Sequence, residues 1–134
     1  VLKGGTLMRP VKDLQRAPDD PSSLLLDRKG ECRCRLDAQG RPTALIVSDQ
    51  PGQFVPYSTE LDLAGLPANV MVTGNERTPM RAAVMVRQLT RRPLVLLGDD
   101  GELLGVVGEH ELYRGMLKQT AAAESDSLAP VAAR

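Results

Sequence analysis

The string TPMRAAVMVRQLTRRPLVLLGDDGELLGVVGEHELYRGML, residues 78–117, decides how this chain folds. It opens on Thr78, whose hydroxyl suits a helix N-cap, and Pro79, whose missing N–H costs little in a first helical turn. Ala82, Met85, Val86 and Leu89 then recur at i, i+3, i+4 and i+7, which predicts a helix with those four side chains buried. Pro93 ends that helix. Leu94-Val95-Leu96-Leu97 is a continuous apolar run of strand length, the pattern of a strand covered on both faces. Gly98-Asp99-Asp100-Gly101 has turn composition. So short a link permits a hairpin and not a crossover, so residues 103–107 should return antiparallel beside 94–97. Residues 109–119 predict a closing helix with Leu112, Tyr113, Met116 and Leu117 facing inward. With Val70-Met71-Val72 as a strand ahead of them, residues 70–119 read as one β-α-β-β-α unit, and the fold class as α+β.

The first half repeats part of this order. Glu31-Cys32-Arg33-Cys34-Arg35-Leu36 alternates, putting Cys32, Cys34 and Leu36 on one face and Arg33 and Arg35 on the other. Asp37-Ala38-Gln39-Gly40 is a turn, and Ala44–Val47 the return strand of a hairpin. Leu24-Leu25-Leu26 fits a helical turn or a strand. Residues 1–20, broken by Gly4-Gly5, Pro10, Pro18 and Asp19-Asp20, read as a linker entering an extended start. Residues 48–68 read as an irregular connection and residues 120–134 as a tail. The repeated order suggests an approximate internal duplication.

Composition narrows the function. Apolar residues form 42% and charged residues 25% of 134, the make-up of an ordered globular chain large enough to fold without a metal or disulfide staple. Seventeen basic and seventeen acidic residues cancel, so no global field gathers nucleic acid. The aromatics are Phe54, Tyr57 and Tyr113, too few for a stacking platform, and the core must be aliphatic, with Met71, Met80, Met85 and Met116 at apolar-pattern positions. No apolar run approaches the ~20 residues of a membrane helix. Cys32 and Cys34, two apart on a strand, favour neither a disulfide nor a complete metal site and read as small half-buried residues. His110 has no nucleophile nearby and reads as a surface residue. Asp99-Asp100 is a turn pair rather than a catalytic dyad. The sequence starts at Val1 rather than Met, which suggests a piece of a longer protein.

The helix start at Thr78-Pro79, the apolar helix, the Pro-Leu-Val-Leu strand, the Asp-Asp-Gly turn, the Leu-Leu-Gly-Val-Val strand and the last helix together resemble a CBS (cystathionine β-synthase-type) module. Leu7-Met8-Arg9-Pro10 and Leu36–Pro42 resemble pieces of a first such module, degenerate because too few residues separate them for a full first helix. The resemblance implies residues 1–68 as a degenerate first module with its linker, 69–119 as the second and 120–134 as a tail. It implies a non-catalytic Bateman pair that regulates through dimerisation and through ionic-strength or nucleotide sensing. Gly4–Val11 is similar to the region after the ATPase domain in ATP-binding subunits of glycine betaine, proline or choline ABC transporters. That likeness implies an attached ATPase domain, a membrane permease partner, and a cytoplasmic place at the inner membrane. No Walker A string occurs in the chain, so the ATPase machinery is not in this stretch. The alternatives are a stand-alone nucleotide-sensing CBS protein and a dimerisation domain without ligand.

In that family a Gly-h-x-Thr/Ser-x-x-Asp string holds adenine nucleotides, its acid on the ribose and its hydroxyl on phosphate. The matching string is Gly105-Val106-Val107-Gly108-Glu109-His110-Glu111, with Gly108 in place of the hydroxyl and Glu111 in place of the Asp. Thr78, Gly108 and Glu111 are therefore candidate ligand residues for a weakly bound adenine nucleotide or cyclic dinucleotide, with no cofactor required. The competing reading makes Gly108 the N-cap and Glu111 the third-position acid of the last helix. Arg77, Arg81, Arg87, Arg91 and Arg92 lie together in sequence without an intervening acid. They are a solvated helix face, or an anion patch for nucleotide phosphate or an anionic membrane surface. A homodimer is expected through helices of the second module, with Met85, Leu112 and Met116 near the contact.

Overall fold

The Gly98–Gly101 turn closes the hairpin that organises the molecule. In the computed structural model, which describes residues 2–132, the Gly98 N–H donates to the Glu102 carbonyl at 2.8 Å. Gly101 takes a φ of 81°, where a side chain would be strained. Along the chain the elements are helix α1 (Gly4–Leu7), strand β1 (Arg9–Pro10), a 3₁₀ turn (Val11–Asp13), β2 (Arg16–Ala17), β3 (Asp20–Leu25), β4 (Cys32–Leu36) and β5 (Pro42–Val47). Then come β6 (Gln50–Pro51), β7 (Gln53–Pro56), a second 3₁₀ turn (Leu63–Gly65), β8 (Val70–Gly74), α2 (Met80–Thr90), β9 (Leu94–Leu97), β10 (Leu103–Val107) and α3 (Glu109–Ala132).

These elements build two sheets. One has the order β1-β10-β9-β8-β7, in which β7, β8 and β9 are parallel, β10 is antiparallel to β9, and β1 is antiparallel to β10. The other, β2-β3-β4-β5-β6, is antiparallel throughout. The expected β-α-β-β-α unit is β8–α2–β9–β10–α3, and β9 and β10 pair antiparallel as their short turn requires. The strands β1 and β7, from before residue 68, complete its sheet on both sides.

Period-two alternation explains the layering. Val95 points to the second sheet, where it joins Leu24, Leu26, Cys32, Cys34, Val47, Met71 and Val106 in one core. Its neighbours Leu94 and Leu96 point the other way, onto Ala83, Val86, Leu112 and Leu7 of the helical layer. The 94–97 run is thus covered on both faces, as read. The alternation of β4 also holds: Cys32 and Cys34 are fully buried, while Arg33 and Arg35 pair outward with Asp19 and Asp20 at 3.1 and 3.0 Å.

Several expectations change. Gly4-Gly5 is no linker: their N–H groups bond the Thr78 and Glu76 carbonyls, and a Cβ on Gly4 would meet the Asn75 carbonyl at 2.8 Å. Of the two readings open for Leu24-Leu25-Leu26 the strand holds, with Leu24 and Leu25 on β3. Thr78 does not cap α2; its hydroxyl accepts the Asn75 N–H at 2.9 Å and closes the preceding turn, and α2 starts at Met80. The buried side of α2 is Ala82, Ala83 and Val86, small residues that let the helix sit close on the sheet, so Met85 and Leu89 turn outward, 43% and 48% exposed. On α3 only Leu112 of the four expected residues faces inward. Tyr113, Met116 and Leu117 are exposed, because α3 meets the core along a single narrow line. Leu112, 4% exposed, therefore leaves the set of dimer-contact residues. The last helix runs on to Ala132 instead of ending at 119, and residues 133–134 lie outside the described residues.

Candidate functional site

The N-terminus of α3 is built as the helix-cap reading requires. The Gly108 carbonyl accepts the Leu112 N–H at 3.0 Å, and the Glu111 carboxylate reaches back to the Gly108 N–H at 2.9 Å. This is the acid half of a capping box, and it already satisfies the positive end of the helix. The second Glu111 oxygen accepts from Arg28 at 3.3 Å, a contact spanning 83 residues of sequence. Glu111 is 4% exposed, so the pair joins a buried carboxylate to the β3–β4 loop on the second sheet.

Around this cap lies a cleft of about 440 Å³. Its floor and walls come from four places: Arg9 of β1, the 26–31 loop, the C-terminal end of α2 with Arg87, Arg91 and Arg92, and the first turn of α3 with Gly108–Glu111 and Tyr113. The loop is held in shape from within, since the Asp27 carboxylate accepts the Cys32 N–H at 3.0 Å and Gly30 takes a φ of 77°. It is held from across the cleft by Arg92, which reaches Glu31 at 3.4 Å and the Ser48 hydroxyl at 2.9 Å. Arg87 pairs with Glu109 at 3.1 Å. Arg9 contributes the one buried side-chain nitrogen or oxygen among the described residues that has no hydrogen-bond partner, its Nε.

The candidate residues therefore part company. Gly108 and Glu111 share the cleft with Arg87, Arg91 and Arg92. Thr78, Arg77 and Arg81 do not line it; they sit at the opposite end of α2, an 11-residue helix about 16 Å long. That separation exceeds a Debye length of about 8 Å, so the five arginines do not form one patch. Tyr113 lines the cleft, which gives the site an aromatic ring that composition alone did not place there. Nothing local in the sequence marks Arg9, Arg28 and Lys29 as site residues. For Arg28 and Lys29 the one sequence signal is the dense charge of Asp27-Arg28-Lys29-Gly30-Glu31 following Leu24-Leu25-Leu26.

Cys32, at the foot of the loop, and Cys34 do not add chemistry. Burial pushes both thiols up to about 12, and the Asp27 carboxylate acts in the same direction on Cys32. Thiols held protonated at neutral pH are neither nucleophiles nor ready metal ligands. Among the described residues no cluster of His, Cys, Asp and Glu is placed to hold a metal ion, and no helix is long and apolar enough to cross a membrane.

No family model and no curated protein matches the chain. Among solved structures, the crystal structure of CBSX2 in complex with AMP aligns with it at a TM-score of 0.57, covering 90% of this chain and 99% of that one at 16% identity. The fold is that of a CBS-domain protein. At that identity the likeness lies in the course of the backbone. The β8–α2–β9–β10–α3 unit and the sheet beside it are this chain's version of the CBS fold.

Proposed function

We propose that this CBS-type domain is a non-catalytic regulatory module that takes an adenine nucleotide in the cleft between β1, the 26–31 loop and the facing ends of α2 and α3. The observation that carries the reading is the convergence of Arg87, Arg91 and Arg92 on the Gly108–Glu111 string in one cleft. Its size is in the range of small-molecule sites. The structural neighbour of the same fold was crystallised with AMP, which supports the ligand class.

Binding should be weak. Gly108 has no hydroxyl for phosphate, and a missing contact of that kind costs ~0.5–3 kcal/mol. Glu111 is already engaged by Gly108 and Arg28 and must exchange those partners to hold a ribose. The finer reading keeps the regulated partner as the ATPase of a glycine betaine, proline or choline importer on the same polypeptide, with the permease beyond it. It rests on the likeness of Gly4–Val11, and a Walker A string encoded ahead of Val1 is its requirement.

The test is calorimetric titration of AMP and ATP into the wild type, Arg87→Ala plus Arg91→Ala, and Gly108→Ser. Weak binding that the double variant abolishes and Gly108→Ser strengthens, by about fivefold for one regained hydrogen bond, supports the reading. Micromolar binding indifferent to both changes overturns it.

A further inference from the structure

The charges in the cleft are not evenly committed. Each of its acids has a partner: Asp27 the Cys32 N–H, Glu31 Arg92, Glu109 Arg87, and Glu111 both the Gly108 N–H and Arg28. Arg9, Lys29 and Arg91 line the same cleft and have no carboxylate partner among the described residues. Six cationic side chains thus face four acidic ones, and the surplus sits on groups free to bind. The Arg9 Nε is in addition buried with its hydrogen-bonding capacity unused, a state that costs free energy until an acceptor arrives. A nucleobase finds less: one aromatic ring, Tyr113, itself 61% exposed.

We infer that the cleft recognises an oligophosphate chain, two or three linked phosphoryl groups, through Arg9, Lys29 and Arg91, and that the base of a nucleotide adds little. This rests on the reading of the same cleft as a nucleotide site, and it names the part of the nucleotide that is held. Guanidinium groups suit phosphate because their paired N–H donors match two oxygens at once. A phosphate chain offers three cations more charged oxygens than a single phosphate does. The affinity should therefore follow phosphate number, and it should fall steeply with ionic strength because two of the three cations stand in solvent.

The experiment titrates AMP, ATP and inorganic tripolyphosphate, without divalent metal, into the wild type, Arg91→Gly, Lys29→Gln and Tyr113→Ala. Arg91 and Lys29 are both exposed, so neither change threatens the core. The expected result is ATP and tripolyphosphate within about threefold of each other and AMP at least about tenfold weaker. Either cation variant should cost both oligophosphates about fivefold or more, Tyr113→Ala less than about twofold, and raising salt from about 50 to about 300 mM tenfold. AMP and ATP binding alike with tripolyphosphate inert would overturn the inference while leaving the nucleotide reading intact. Tripolyphosphate binding with ATP inert would overturn the nucleotide reading and, with it, the claim that the rest of the nucleotide adds little. A tenfold loss in Tyr113→Ala would also overturn the inference, and silence from all three ligands would overturn both.

Discussion

Arg91 ends α2 with a φ of 61°, the left-handed conformation that usually falls to glycine, while its N–H still closes on the Arg87 carbonyl at 3.0 Å. A non-glycine residue there costs about 1 kcal/mol. Arg91→Gly should accordingly raise stability by about that amount, a gain of about 3–6 °C in thermal unfolding, while weakening anion binding. A variant that is both more stable and less active as a binder would mark Arg91 as a residue kept for its charge. The cysteines answer to pH. Burial raises both thiols from an ordinary value of 9.0 to about 12. Below pH 9 both folded and unfolded chains hold these protons, and the contribution is fully present. Above it the unfolded chain releases them first, so stability is lost as pH rises toward 12. Urea unfolding at rising alkaline pH should show a steady fall in midpoint that is shallower in Cys34→Ala; equal slopes would contradict this origin.

Among the elements, β1 shows how close packing depends on one missing side chain. Pro10 pairs with Gly105, and a Cβ on Gly105 would run into the Arg9 carbonyl and sit 2.9 Å from the Met8 sulfur. Gly105→Val should push β1 off the sheet edge and cost about 3 kcal/mol, read from the urea midpoint. It should also displace Arg9 from the cleft. The β-α-β-β-α unit was legible because its signals are local: Pro79 and Pro93 bracket α2, and a short glycine turn dictates the β9–β10 hairpin. The hairpin of β4 and β5 was legible from alternation, though not its bulge, where the register slips between Arg33 and Arg35 and Ala44 takes a φ of 50°. The outward turn of Met85, Leu89 and Met116 was not legible, since periodicity marks an apolar face without saying whether the same chain covers it. The cap at Gly108–Glu111 could be read from spacing. Arg87, Arg91 and Arg92 could be read as part of a basic run, but their meeting with Arg9 and Arg28 could not, because those two reach the cleft only through the stacking of two sheets.

At the scale of the molecule, the cleft lies on the seam where the helix-backed sheet meets the antiparallel one, and Arg28–Glu111 and Arg92–Glu31 cross that seam. Anything bound there touches both sheets, which is how a ligand could alter the fit between them. The exposed apolar residues Met85, Leu89, Met116 and Leu117 lie on the helical layer, the side away from the second sheet. A homodimer through α2 and α3 would cover them. Sedimentation should give a dimer at high micromolar concentration that Met85→Glu plus Met116→Glu converts to monomer; a wild-type monomer there would contradict the assembly. The most direct measurement of the central claim, that the seam cleft is the ligand site, is an amide NMR spectrum recorded with increasing ATP. The account predicts shifts at Gly108, whose N–H holds the Glu111 carboxylate, and at Arg28, Lys29 and Arg91, with Arg77, Thr78 and Arg81 unmoved. Shifts centred on residues 77–81 instead, or a spectrum unchanged at millimolar ATP, would contradict it.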